Sequence, residues 1–189
     1  ETSLPNVLCY ETVLASGDAG FEWPRLDENA ACGMCYTSGT TGNPKGVLYS
    51  QRSNVLHGMS QCRSDALGIA GRDAVMPVVP MFHANAWSLA FSCPMVGAKM
   101  VMPGARLDGA SLYELLDAER VTIGGSACPE YLMRAFEERY GVEVLHAWGM
   151  TEMSPIGTVG TRSGGLVGAA DDVWWPHKVK QGRPYHGVE

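Results

Sequence analysis

The chain has 189 residues, a formal net charge of −6 and 46% apolar residues, enough for one domain with a buried core. Its acidic balance argues against a nucleic-acid partner, whose phosphate backbone calls for basic patches. No run of about 18 apolar residues occurs, so no membrane-spanning helix is expected.

The chain opens at Glu1 with no basic-then-apolar leader, and reads as a fragment or a processed product of a cytoplasmic protein. Six cysteines (Cys9, Cys32, Cys35, Cys62, Cys93, Cys128) are then expected as reduced thiols. Cys32 and Cys35 form a CxxC, but in an expected strand and without the second pair that zinc needs.

Residues 1–30 carry Pro5, Gly17, Gly20 and Pro24 and read as an irregular lead-in; residues 31–189 read as one domain. Ala31–Tyr36 is a short apolar strand, and Val47–Tyr49 a second one. Gln51–Leu67 is expected as a helix with Val55, Met59 and Cys62 on one face. Ala74–Val79, interrupted by Pro77, and Ala98–Met102 are the next strand candidates.

Asp108 should cap a helix that aligns Leu112, Leu115 and Leu116. Val121–Ile123 reads as a strand, Pro129–Tyr140 as a helix presenting Leu132, Ala135 and Phe136, and Val142–Ala147 as a strand. Gly164–Ala170 reads as a loop that Trp174 and Trp175 anchor. His57, His177 and His186 read as surface or satisfied core residues. Alternation of this kind predicts an α/β fold of layered, mostly parallel sheets flanked by helices.

Between the first two strands lies Tyr36-Thr37-Ser38-Gly39-Thr40-Thr41-Gly42-Asn43-Pro44-Lys45-Gly46-Val47. Glycines allow close backbone approach, Ser and Thr hydroxyls donate to phosphate oxygens, and Lys45 adds a fixed positive charge. Pro44 before the lysine and Gly46 after it exclude a Walker loop, which needs G-x-x-x-x-G-K-[ST]. Clusters of this composition are most often plain turns; the density and order of this one argue for a polyphosphate cradle.

The run resembles the phosphate-loop signature of the acyl-adenylate-forming (AMP-binding) superfamily, and further segments match in that family's order. Pro80-Met81-Phe82-His83-Ala84-Asn85-Ala86-Trp87 is similar to its aromatic-histidine segment, in the form found in fatty-acid–CoA ligases. Gly124-Gly125-Ser126-Ala127 is similar to the stretch lying against adenine, and His146-Ala147-Trp148-Gly149-Met150-Thr151-Glu152 to the segment holding nucleotide and metal. Gly182-Arg183-Pro184 with Gly187-Val188-Glu189 looks like the stretch closing the large domain's core.

The resemblance implies ATP-dependent conversion of a fatty or related carboxylic acid to acyl-AMP and then acyl-CoA. ATP, Mg2+ and coenzyme A would be the cofactor and co-substrates; a homodimer is one assembly compatible with this reading, and the sequence does not choose an oligomeric state. Thr37, Ser38, Gly39, Thr40, Thr41, Gly42 and Lys45 would hold the phosphates. Thr37 and Glu152 would serve magnesium, which prefers a few protein oxygens plus phosphate and water. Thr151 would bond the α-phosphate. Gly125, Ser126, Ala127, His146, Ala147, Trp148 and Gly149 would line the nucleotide. His83, Ala84, Trp87 and Gly149 would meet the acyl group, with His83 placing its carboxylate and Trp87 also near nucleotide; Trp87 reads equally as a core aromatic.

Two departures from the family stand out. Its ribose-binding aspartate and adenylation lysine belong to segments beyond those matched here. Relatives also carry several tens of residues, a helix pair and part of the acyl-pocket wall, where Thr122 here runs straight into Ile123. A shortened nucleotide-binding module without turnover is therefore the alternative reading.

Overall fold

A computed structural model describes residues 5–37, 42–115, 117–184 and 188. Ser38, Gly39, Thr40, Thr41, Leu116, His186, Gly187 and Glu189, all named above, lie outside the described residues.

The lead-in is not wholly irregular. It contains a short helix, α1 (Tyr10–Ala15), with an acidic Glu11 in its first turn and no buried residue. The first sheet is a hairpin of β1 (Ala31–Thr37) against antiparallel β2 (Lys45–Ser50), with Cys35 opposite Val47 and Thr37 opposite Lys45. That register sets Thr37 and Lys45 side by side at the end of the hairpin. Successive strand residues alternate faces: Cys35, Val47 and Tyr49 point inward, whereas Met34, Tyr36 and Leu48 are exposed.

Ser50 ends β2 and caps α2 (Gln51–Gln61) through a reciprocal pair of bonds with Ser53, a capping box with serine in the place usual for glutamate. The helix is shorter than expected and turns the other way. Val55 and Met59 are about half exposed, and the buried face is Asn54, His57, Gly58 and Gln61. Polar partners explain the inversion: the Ile156 N–H donates to His57 Nε2 at 3.1 Å, and Gln61 Nε2 donates to the Trp87 carbonyl at 2.5 Å.

β3 (Ala74–Val75) and β4 (Lys99–Met100) are parallel and two residues each. Pro77 and Pro103 supply no backbone donor and sit just past them, so neither ladder extends as far as expected. Between them, α3 (Ala84–Trp87) is a left-handed turn. Ala84, Asn85, Ala86, Trp87 and Ser88 have φ between 47° and 64°, a conformation that costs roughly 1–2 kcal/mol per non-glycine residue. Burial of Ala84 and Ala86, the Gln61 bond and a bond from the Ser88 hydroxyl to the Ser154 carbonyl (2.9 Å) hold it. α4 (Leu89–Val96) follows and packs on α2.

Asp108 caps α5 (Gly109–Tyr113) by accepting from the Ser111 N–H at 3.0 Å, as expected. The helix stops at Tyr113, which leaves Leu115 beyond it and half exposed. β5 (Arg120–Ile123) pairs in parallel with β6 (Glu143–Gly149), and Thr122 and Ile123 are consecutive rungs opposite Leu145 and His146. The crossover is α6 (Glu130–Arg134), capped by Pro129 and continued as a π-helical turn over Ala135–Arg139. The buried position is one residue on from that expected: Met133 is fully buried while Leu132 is exposed.

β7 (Ile156–Val159) lies antiparallel to β6, and β8 (Arg183–Pro184) antiparallel to β7. Among the described residues the α/β class is therefore met with mixed strand directions, parallel in β3–β4 and β5–β6. Residues 164–170 hold a single 3-10 turn, Gly164–Leu166, before α7 (Asp171–Lys178).

One core cluster joins Ala66, Leu145, Ala147, Ile156 and Val159, with Trp87 packed against it. The other joins Cys128, Met133, Val144 and Trp175. Trp174 and Trp175 thus anchor a helix rather than a loop. Beside them Lys178 is buried, bonded to Glu137 at 2.6 Å and to the Val144 carbonyl at 2.9 Å.

Candidate functional site

A cleft of about 1320 Å³ opens between the β1–β2 hairpin, the Phe82–Asn85 segment and the turn after β6. Thr37, Gly42 and Lys45 enter from the hairpin, His83 from the second segment, and Thr151 and Glu152 from the third. Residues 114 positions apart in the chain, Thr37 and Thr151 among them, share one wall-to-wall space.

The hairpin register brings in Lys45. The extended His83, immediately before the left-handed turn, faces the cleft together with Asn85. The β6–β7 turn brings in Thr151 and Glu152 on a 3-10 turn, Thr151–Met153. That turn is tied down twice. The Tyr49 hydroxyl donates to the Thr151 carbonyl at 2.5 Å, and the Met150 N–H donates to the Pro155 carbonyl at 2.9 Å. Burial, with the Glu152 charge as a lesser cause, pushes the Tyr49 phenol up to about 12, so it stays a donor at every ordinary pH.

Among the described residues neither Lys45 nor Glu152 is held in an ion pair. A cleft with one cationic and one acidic side chain, a threonine hydroxyl on either side and glycine-bearing backbone can hold a polyphosphate with a hard divalent cation. Thr37 Oγ1 and the Glu152 carboxylate are hard oxygen donors. No group of three His, Cys, Asp or Glu residues able to hold a metal exists among the described residues. This donor set fits a magnesium ion that takes its remaining ligands from phosphate and water.

The other expected site residues among those described do not line this space. Gly125, Ser126 and Ala127 follow β5, and His146, Ala147, Trp148 and Gly149 end β6, so both groups lie at the carboxyl edge of one parallel pair, where ligands of α/β sheets gather. None of them lines the cleft. Gly124 is pinched between the Ala147 carbonyl and the Trp87 ring, each about 3 Å from where a Cβ would stand. Ala84 is buried, and Trp87 sits on the core cluster behind the cleft. The His146 side chain is structural: Nε2 accepts from the Cys128 N–H at 3.3 Å, and Nδ1 lies 3.1 Å from the Val179 carbonyl.

Sequence reasoning passed over Tyr49, Asn85 and Cys35. Tyr49 shares the strand face of Lys45, a period-2 signal present in the sequence. Asn85 was inside a quoted motif. The Cys35 thiol, which lines the cleft and lies 3.8 Å from Asn85 Oδ1, gave no signal beyond its place in a strand.

A family model described as AMP-binding enzyme matches residues 4–124 of the chain. The chain belongs to the AMP-binding enzyme family. It is 46% identical to a medium-chain-fatty-acid–CoA ligase of Ectopseudomonas oleovorans, over 98% of this chain and 40% of that one. It is likewise 46% identical to a 3-methylmercaptopropionyl-CoA ligase of Ruegeria pomeroyi, over 95% of this chain and 39% of the other.

In three dimensions it resembles a benzoate CoA ligase from Burkholderia xenovorans. The TM-score is 0.77 at 19% identity, over 98% of this chain and 41% of that one. A long-chain-fatty-acid-CoA ligase from Archaeoglobus fulgidus gives 0.70 at 18% identity, over 93% and 40%. These likenesses show the fold, an adenylate-forming N-terminal domain in part. The chain spans about 40% of the length of the curated relatives it matches. The match to the Ectopseudomonas ligase runs over 216 positions against 189 residues here, so that relative carries residues this chain lacks.

Proposed function

We propose that the cleft binds ATP with magnesium and activates a medium- or long-chain fatty acid, or a related carboxylic acid, as acyl-AMP for transfer to coenzyme A. The observation that carries this reading is the convergence of Lys45, His83, Thr151 and Glu152 on one cleft. A carboxylate resists thiols at neutral pH because its leaving group would be oxide; attack on the α-phosphate breaks the α–β phosphoanhydride, releases pyrophosphate and makes AMP the leaving group instead. The protein's task is then charge neutralisation and in-line placement.

Lys45 and the hairpin turn would hold the β- and γ-phosphates, Thr151 the α-phosphate, and His83 the acyl carboxylate. Glu152 and Thr37 would hold magnesium, which neutralises phosphate charge when bound. The carboxyl edge formed by Gly125–Ala127 and His146–Gly149 would take the adenine, next to the phosphates. Apolar Met34, Phe82 and Met150 give the same cleft a wall suited to an acyl chain. The six cysteines are free, in keeping with a reducing, cytoplasmic setting.

A second reading, nucleotide binding without turnover, is favoured by the residues that relatives carry and this chain lacks. Fatty-acid-dependent exchange of labelled pyrophosphate into ATP decides between them. Exchange supports activation, ATP binding without exchange supports the binding module, and absence of ATP binding removes both.

A further inference from the structure

A second cavity, about 390 Å³, lies apart from the cleft, between the end of β7, the Gly164–Leu166 turn, α7 and β8. Its lining includes Thr161, Ser163, Trp174, His177, Lys180 and Arg183 and, among the described residues, no Asp or Glu. Arg162, between two lining residues, stacks on the Trp174 ring at 4.6 Å and adds a third permanent positive charge beside the cavity. In a chain of net charge −6 this is a local reversal of sign, built by residues that the acyl-activating reading leaves unused.

Asp65, the acid that Arg183 influences, does not cancel it. Asp65 is held first by the Arg63 guanidinium, at 3.0 and 3.2 Å, which lowers its carboxyl; Arg183 is only a lesser influence. Among the described residues neither Lys180 nor Arg183 is in an ion pair. Thr161 spends its hydroxyl proton on the Asp65 carbonyl at 3.1 Å, which leaves Ser163 as the hydroxyl donor facing the cavity.

We propose that this cavity binds a phosphorylated small molecule, with its phosphoryl group between Lys180 and Arg183. A guanidinium fork and an ammonium group together match a multi-oxygen dianion better than a single carboxylate. The volume admits a diphosphate or a nucleoside phosphate, at the small end of ligand pockets. The proposal does not depend on ATP activation in the cleft.

The test is calorimetric titration at physiological salt, in which the Lys180→Gln/Arg183→Gln variant separates this cavity from the cleft. Inorganic pyrophosphate and 3′-phosphoadenosine 5′-phosphate are the two probes, standing for a free diphosphate and for a nucleotide-borne phosphate. At least one should bind, and Lys180→Gln/Arg183→Gln should weaken it by about tenfold or more. Arg72→Gln, a distant and highly exposed cation, should change nothing. Circular dichroism checks that each variant is folded. Absence of binding by both probes, equal binding of sulfate, or equal affinity in the double variant would overturn the proposal.

Discussion

The Tyr49 hydroxyl reaches across from β2 to the Thr151 carbonyl, 2.5 Å away, and so couples the strand that carries Lys45 to the turn that carries Glu152. The two sides of the cleft are held at a fixed separation by one neutral bond between residues 102 apart in the chain. Tyr49→Phe keeps the buried ring and removes the bond. It should lower stability by about 1 kcal/mol and weaken ATP binding although residue 49 does not line the cleft. Chemical denaturation and calorimetric ATP titration check the two effects; unchanged ATP affinity would show that the bond is purely structural.

Lys45 stands beside Thr37 at the end of the hairpin, where the terminal phosphates of ATP would lie. Lys45→Ala is expected to weaken ATP by about tenfold or more, the range for a lost charge-assisted bond, and AMP far less. Parallel titrations with the two nucleotides provide the comparison. Equal losses would move the lysine off the terminal phosphates.

Glu152 is the one carboxylate lining the cleft among the described residues. Glu152→Ala should remove the dependence of ATP binding on magnesium, while metal-free binding stays the same or strengthens as a negative charge leaves. Titrations with and without the metal show this directly. A full magnesium effect in the variant would reassign the metal.

His57 links pH to folding. Burial lowers its pKa to about 4, and the Ile156 N–H donates to Nε2. The unfolded chain, with an ordinary histidine, takes up a proton near pH 6.5 that the folded chain refuses. Stability from this group is therefore full above about pH 6.5 and falls as pH drops toward 4, by about 3 kcal/mol in all. His57→Gln, which can still accept from Ile156, should flatten that slope in a pH series of thermal melts. An unchanged slope would assign the acid sensitivity elsewhere.

The motifs were legible because their chemistry is local: hydroxyls, glycines and a lysine at fixed spacing mark a candidate phosphate loop whatever surrounds them. The helix cap at Asp108 and the strand at Val121–Ile123 were readable for the same reason. The buried face of α2 was not, since Asn54, His57 and Gln61 are polar and their partners, Ile156 and the Trp87 carbonyl, lie far along the chain. Periodicity counts apolar residues and so chose Val55 and Met59, which face outward. In α6 the apolar pattern could not choose between the neighbours Leu132 and Met133, of which the second is the buried one. That Gly125–Ala127 and His146–Gly149 meet at one edge depends on the pairing of β5 with β6, a tertiary fact that no single run of residues encodes.

Five successive L-residues in mirror-image helical backbone, from Ala84 to Ser88, make this short stretch an unusual reservoir for protein engineers. Glycine at 86 would relax the chain where alanine resists, and the fold should melt at a higher temperature. The same relief would loosen the scaffold that aims His83 and Asn85, so robustness gained there would be expected to blunt whatever the neighbouring imidazole does.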